Sequence, residues 1–170
     1  MRTAVTGEQQ IRALRRTDHE LLRVATHTTM NWRGRESFTY RDLDSQPHFS
    51  HYTDFRPQRG DFGFVAEYRG NATGVVWCLF LDASSPGYGY VSDDVPELSL
   101  CVFSGYRRQG IGARLLGGAL EAAQQAGVAR VSLSVAAENV AASRLYAAAG
   151  FRRAPEALDA GTQVVDLGQR

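Results

Sequence analysis

At 170 residues, with 44% hydrophobic and 22% charged residues, the chain has the size and make-up of one globular domain, able to bury roughly two thirds of its unfolded surface. A net charge of +1 excludes a broad field for nucleic acid or an anionic membrane, and the lack of any apolar run of about eighteen residues excludes a spanning helix. Met1–Gln10 has no basic start followed by an apolar core, so a cytoplasmic home is expected. There Cys78 and Cys101 are read as buried thiols in neighbouring strands, close enough to meet, and not as a disulfide.

Gln10–Leu14 reads as a first strand. Asp18 is placed to cap a helix over about His19–Thr28, whose Leu21, Leu22 and Ala25 share a face. From Met30 to Gly60 no period holds, and this stretch of aromatic, histidine, arginine and aspartate residues is an irregular or partly helical lobe. Phe62–Tyr68 and Thr73–Leu81, joined by Arg69-Gly70-Asn71, form a hairpin. Asp82–Pro96, with Gly87-Tyr-Gly-Tyr90, is a loop or a short strand extension. Glu97–Val102 then runs antiparallel to the preceding strand. An Ala/Leu-rich helix packing by Ile111, Leu115, Leu116, Ala119, Leu120 and Ala123 crosses over to a parallel strand at Val131–Val135. Gly127 ends that helix as a left-handed cap; Gly117 and Gly118 inside it each cost about 1 kcal/mol relative to alanine, which close packing on the sheet would offset. A second helix opens at Asn139, buries Ala142, Leu145 and Ala149, and stops at Gly150. Arg152–Pro155 and Thr162–Leu167 close the sheet.

Chemistry concentrates where the strand Glu97–Val102 hands over, through Arg107-Arg-Gln-Gly110-Ile-Gly112, to the crossover helix. The first N–H groups of a helix have no intrahelical partner, glycines let an anion approach the backbone, and Arg107 and Arg108 add charge: this is an anion cradle. A P-loop is excluded, because it ends in Gly-Lys-Ser/Thr and the chain contains no lysine. The dinucleotide fingerprint fails too. Glu138 stands roughly where its ribose acid belongs, but Leu115 occupies the place of its third glycine, and the turn comes too late for a doubly wound sheet.

The turn matches Arg/Gln-x-x-Gly-x-Gly/Ala, and a second run follows, Asn139-Val-Ala-Ala-Ser143-Arg-Leu145-Tyr146-Ala-Ala-Ala-Gly150-Phe151. By these two motifs, which cover about Glu97 to Phe151, the chain resembles the GCN5-related N-acetyltransferase (GNAT) superfamily. The resemblance implies an α/β (α+β) fold: a mixed, mostly antiparallel central sheet of six to seven strands, flanked by about four helices, with a splayed parallel strand pair at the cofactor site. It implies one N-acetyltransferase domain over 1–170, with a cofactor-binding core at 97–151 and a substrate-side lobe at about 30–60. Acetyl-CoA is the implied co-substrate, with no metal. In the family a bulge splays the strand ending at Val102, and pantetheine enters the gap. Leu100, Cys101 and Val102 then contact the thioester and pantetheine, while Arg107, Arg108, Gln109, Gly110, Ile111, Gly112 and Ala113 wrap the pyrophosphate; Asn139 and Ser143 complete the cofactor set. A fixed N–H on the thioester oxygen contributes about 3–4 kcal/mol to the transition state.

Tyr146 holds the position of the family's donor to the departing sulfur. Reference values of about 10 for a phenol and 8.5 for a thiol make full proton transfer uphill by roughly 2 kcal/mol, which favours a hydrogen bond to the thiolate or relay through solvent; mere packing beside Leu145 is the plainer role. The acceptor arrives as an ammonium and needs a base. Glu97 is the candidate, sharing a face with Ser99 and Cys101; a solvated strand-end carboxylate is the plainer alternative, and Asp93 and Asp94 lie less well in the preceding loop. Relatives that acetylate ribosomal-protein N-termini carry a glutamate where this chain has Ser134, which shifts weight to a small-molecule or other peptide amine.

Substrate choice falls to the lobe, which in the family flanks the acetyl end of the cofactor together with the loop before the central strand. Trp32, Phe38, Tyr40, Phe49, Tyr52 and Phe55 are candidates for an aromatic pocket or for ordinary packing, and Asp42, Asp44 or Asp54 for attracting a cation. His48-x-x-His51-x-x-Asp54 has ligand-type residues but neither a helical frame nor a fourth partner. Transfer from acetyl-CoA to a primary amine by direct attack in a ternary complex is the leading reading. A non-catalytic acyl-CoA sensor or scaffold, transfer to a hydroxyl, and use of a longer acyl group stand beside it. Exposed sheet edges leave a homodimer open.

Overall fold

Seven strands form in this computed structural model, which describes residues 8–168; most of Met1–Gln10, read above for a leader, lies outside them. The strands are β1 (Gln10–Ala13), β2 (Phe62–Tyr68), β3 (Asn71–Leu79), β4 (Glu97–Val102), β5 (Arg130–Ser134), β6 (Arg152–Arg153) and β7 (Thr162–Asp166). They form one sheet in the order β1-β2-β3-β4-β5-β7-β6. All neighbours pair antiparallel except β4 and β5. The mixed α/β class is therefore as expected. Among the described residues five helices accompany the sheet where about four were expected: α1 (His19–Met30), α2 (Tyr40–Ser45), α3 (Pro47–Ser50), α4 (Ile111–Gln125) and α5 (Val140–Ala148). The short pair α2 and α3, with single turns at His51–Thr53 and Pro57–Arg59, makes up the aperiodic lobe. Among the described residues no helix is long and apolar enough to cross a membrane.

The β2–β3 hairpin closes on Arg69 (φ 50°) and Gly70 (φ 78°), the paired left-handed residues that a two-residue hairpin turn requires. Pairing of Tyr68 with Asn71 makes the connection one residue shorter than expected. β3 is buried along most of its length, since helices cover both faces of the sheet. On one face Val76, Cys78 and Leu98 meet the α4 stripe of Ile111, Leu115, Leu116, Ala119 and Ala123, with Leu120 only half-buried. On the other, Val75, Trp77, Leu79 and Cys101 meet Leu22 and Ala25 of α1 together with Tyr52 and Phe55. Alternation thus puts the two cysteines on opposite faces, which corrects the expectation that they meet; burial pushes both thiols up, that of Cys101 to about 12.

Three local expectations also change. Asp18 does not cap α1: it ends a short 3-10 turn, outside the extended conformation a cap needs, and instead accepts the Arg15 N–H (2.7 Å) and pairs with Arg12 (2.8 Å). Gly117 and Gly118 are not packed on the sheet. A Cβ at either would meet nothing within 4 Å, so nothing in the structure calls for glycine there. In α5 the side chain that is buried is Tyr146, while Ala142, Leu145 and Ala149 are half-buried. Asn139 does cap that helix, accepting the Ala142 N–H (3.3 Å), and Gly127 (φ 78°) follows α4 as expected.

Candidate active site

β4 and β5 each keep one full ladder and share almost none. β4 pairs with β3 without a break from Glu97↔Leu79 to Val102↔Gly74, and β5 pairs with β7 from Arg130 to Ser134. Between them only Glu97↔Ser132 is in register, with the Ser132 N–H donating to Pro96 O (3.0 Å). Each strand follows its other neighbour from there, and a gap opens toward Val102. No bulge in β4 is involved, contrary to expectation; the register shift in this part of the sheet lies at Ala66/Glu67 of β2. The Phe103 N–H bonds Thr73 O (2.9 Å), so the odd-numbered residues of β4 turn their peptide groups to β3, and those of Leu100 and Val102 face the gap. Cys101 belongs to the odd set. Its peptide groups serve the β3 ladder, while its side chain lines the cavity described next.

That cavity, about 680 Å³, runs through the gap. Its walls are Leu98–Val102 and Ser134–Ala136; one end reaches the Arg107–Ala113 turn with Asn139, Leu145 and Tyr146, and the other reaches Thr26, Trp32, Tyr52 and Glu97. Gly110 (φ 77°) and Arg108 (φ 60°) both take left-handed backbone at the turn, an arrangement that collects strain at binding sites when the residue is not glycine. The first intrahelical bond of α4 is Arg114 N–H to Gly110 O (3.1 Å). The N–H groups of Ile111, Gly112 and Ala113 therefore have no helical acceptor, and a Cβ on Gly110 would enter open space beside them. Arg107 and Arg108 are exposed next to this cradle, with Arg107 Nε donating to Val102 O (3.1 Å). Of the cofactor residues expected from sequence, Gln109 and Ser143 do not line the cavity; the Gln109 side chain turns back to Gly105 O (3.4 Å).

Glu97 is not solvated. It is 5% exposed, and its Oε1 accepts hydrogen bonds from the Tyr52 hydroxyl (2.8 Å) and the Gly89 N–H (3.0 Å). Oε2 is buried without a partner. Burial pushes the carboxyl up to about 7; the two donors hold it down against that, and the charge of Asp159 adds slightly to the rise. Tyr146, 8% exposed, packs edge-on to Phe151 with ring centroids 5.8 Å apart, and burial pushes its phenol up to about 12.

The lobe contributes less to the cavity than its composition offered. Trp32 and Tyr52 line it, whereas Phe38 packs edge-on to Phe49, Tyr40 stacks on His27, and Phe55 joins the core. All three aspartates are engaged elsewhere: Asp42 in the Thr39 cap of α2, Asp44 with Arg23 (2.8 Å), Asp54 with Arg56 (2.6 Å). His51 is buried with Nδ1 at 3.0 Å from the Ser85 hydroxyl, and burial lowers it to about 4. The loop 82–96 walls the site, as expected for the loop before the central strand, but its close seating on Glu97 and Leu133 was not read from the sequence. Tyr88 lines the cavity, and Gly87 and Gly89 sit so close to Glu97 and Leu133 that a Cβ would lie 1.8 Å from Glu97 Oε2 and 2.7 Å from Leu133 C, respectively. The available signal was the glycine spacing in Gly87-Tyr-Gly-Tyr90, which marks a close backbone approach.

Comparison with known proteins follows the same lines. A sequence model described as the acetyltransferase (GNAT) family matches residues 26–151. No curated protein matches the sequence. Solved structures share the fold: a GNAT-family acetyltransferase from Staphylococcus aureus Mu50 (TM-score 0.72, 19% identity, covering 95% of this chain and 100% of that one); yncA of Salmonella typhimurium with its cofactor acetyl-CoA (0.66, 17%, 96% of each); and the PaiA N-acetyltransferase of Thermoplasma acidophilum in complex with coenzyme A (0.67, 17%, 94% and 99%).

Proposed function

The chain belongs to the acetyltransferase (GNAT) family, and from that premise we propose that it is an acetyl-CoA-dependent N-acetyltransferase, working as one domain on a small-molecule or peptide amine by direct attack in a ternary complex. One observation carries this reading: a single cavity joins the cradle at Ile111–Ala113 to the buried carboxylate of Glu97. The residues present suit acetyl-CoA. Arg107, Arg108 and the free N–H groups of Ile111, Gly112 and Ala113 would hold its diphosphate, and the gap-facing peptide groups of Leu100 and Val102 its pantetheine. When bound, acetyl-CoA supplies an acetyl thioester with a thiolate leaving group.

The chain's own groups do the rest. Glu97, ionised above about pH 7, takes the proton from the incoming ammonium. The Tyr146 hydroxyl, lifted to about 12, keeps its proton at every working pH. Full transfer to a thiolate of pKa about 8.5 is then uphill by about 5 kcal/mol, more than reference values give, so Tyr146 acts as a hydrogen-bond donor to the sulfur and not as a free acid. Ser134, at the cavity wall, offers no carboxylate, which keeps the emphasis on acceptors other than ribosomal-protein N-termini.

Thiol release against a panel of amines, with acetyl-CoA saturating, tests the proposal. Turnover with at least one amine is expected, and Tyr146→Phe should lower kcat by about thirtyfold, the worth of roughly 2 kcal/mol for one hydrogen bond to a developing anion. Calorimetry should show CoA binding that Gly110→Val weakens about tenfold, since a β-branched residue is strained at that φ and would shift the turn that presents the cradle. CoA binding with no thiol release across a broad panel would replace the enzyme with an acyl-CoA sensor.

A further inference from the structure

Tyr52 is the one side chain that donates to the carboxylate of Glu97 among the described residues, and it comes from the lobe, 45 residues away in sequence. Its ring is 6% exposed in the core against Trp77, whose indole N–H donates to Tyr52 O (2.9 Å). Its hydroxyl oxygen accepts the Tyr88 N–H (2.9 Å), which leaves the phenolic proton one direction to point, toward Glu97 Oε1 at 2.8 Å. The next N–H of the loop, from Gly89, reaches the same Oε1 (3.0 Å). Thr162 of β7 fixes this loop by donating to Tyr88 O (2.9 Å). Two donors thus saturate Oε1 and leave Oε2 without a partner.

We propose that Tyr52 is a positioning residue for acyl transfer: its hydroxyl, clamped by the Tyr88 N–H, locks the Glu97 carboxylate in one orientation and stabilises its ionised form, the form that takes the acceptor's proton. The proposal rests on the reading of Glu97 as the base. It goes beyond that reading by making the basicity of Glu97 depend on the lobe that meets the acceptor. Other groups facing Glu97 do not substitute for Tyr52. Tyr88 offers the carboxylate no side-chain bond, Asp159 opposes ionisation, and β3 and β5 present Leu79 and Ser132, both uncharged, at its register.

Removing the hydroxyl takes away a donor that holds the carboxyl down, so the pKa of Glu97 rises from about 7. In Tyr52→Phe the acidic limb of kcat/KM, measured with an amine the panel identifies, should move up by about one pH unit, costing about tenfold in rate at pH 6. The gap between the two enzymes should narrow at high pH to the cost of the lost orientation alone, and KM for acetyl-CoA should be unchanged. A loss that is the same at every pH, with the limb unmoved, overturns the role of Tyr52. Glu97→Gln separates the two layers: if it retains the limb, the base reading fails and this proposal with it; if it loses the limb while Tyr52→Phe leaves it in place, only the proposal fails. A measurement on the unaltered protein needs neither variant nor acceptor. With carbon-13 in glutamate carboxyls and tyrosine Cζ, the Tyr52 resonance should inflect at the midpoint of the Glu97 titration; a flat Tyr52 signal across that midpoint overturns the proposal.

Discussion

Glu97→Gln is expected to lower kcat/KM by about 10²–10⁴-fold, the range for loss of a positioned general base, and to erase the acidic limb near pH 7, leaving a rate that follows the amine's own ionisation. The same substitution should make the fold more stable at alkaline pH. Burial raises the carboxyl from 4.5 to about 7, so between those values the folded protein binds more protons than the unfolded chain, and stability falls as pH rises through that window. Above pH 7 the wild type carries the full penalty of an ionised buried carboxyl, about 3 kcal/mol. Glutamine is neutral throughout. Its oxygen can accept from Tyr52 and Gly89 as Oε1 does, and its amide at the Oε2 position, without a partner, subtracts part of the gain. Denaturant melts at pH 5 and pH 8 check this: the variant should gain on the wild type between the two. A loss of stability of equal size at both pH values would mean that Glu97 is a structural carboxyl.

The residues that defeat sequence reading and those that permit it differ in a physical way. The turn Arg107–Gly112 and the run Asn139–Phe151 were legible because cradle, helix start and cap are set by residues adjacent in the chain; the hairpin and the α4 stripe were legible because period and turn chemistry are local as well. Tyr52, by contrast, looked like any lobe aromatic. Its role arises from a hydroxyl meeting residues 36 and 45 positions away, which no local pattern encodes. Glu97 was placed correctly on its strand face, yet its burial depends on the loop 82–96 folding over it, and the contacts that make it do so are spread across the fold. Asp44 was offered as a cation attractor because its partner Arg23 is settled by tertiary placement, and Asp42 and Asp54 because the Thr39 cap and the Arg56 pair form only in one local backbone conformation. The splay of β4 from β5 was anticipated, but its cause was not. A strand with a complete ladder on one side needs no bulge to leave its other neighbour, and only the pairing register reveals that.

Gly87→Ala is expected to lower kcat by about 10²-fold with little change in KM for acetyl-CoA. The added Cβ would stand 1.8 Å from Glu97 Oε2 and 2.8 Å from the Tyr52 hydroxyl, far inside contact distance. Something must move, and the choices are narrow. The loop is tied by Tyr88 N–H to Tyr52, by Gly89 N–H to Glu97 and by Thr162 to Tyr88 O, and a Cβ at Gly89 would already press on the Leu133 backbone, so the loop has little room to lift. Tyr52 is held by its buried ring. The carboxylate is the softest member, and rotating it away costs its bonds to Tyr52 and Gly89 and misaims the base; a displacement of about 1 Å is worth roughly 10²-fold in rate. The cradle at Ile111–Ala113 lies at the other end of the cavity, which is why binding of acetyl-CoA should be spared. A double-mutant cycle makes the claim specific. With Glu97→Gln already in place there is no carboxylate left to misaim, so adding Gly87→Ala should cost less than threefold in kcat; two losses that simply multiply would show that Gly87 acts on the rate by some route other than Glu97.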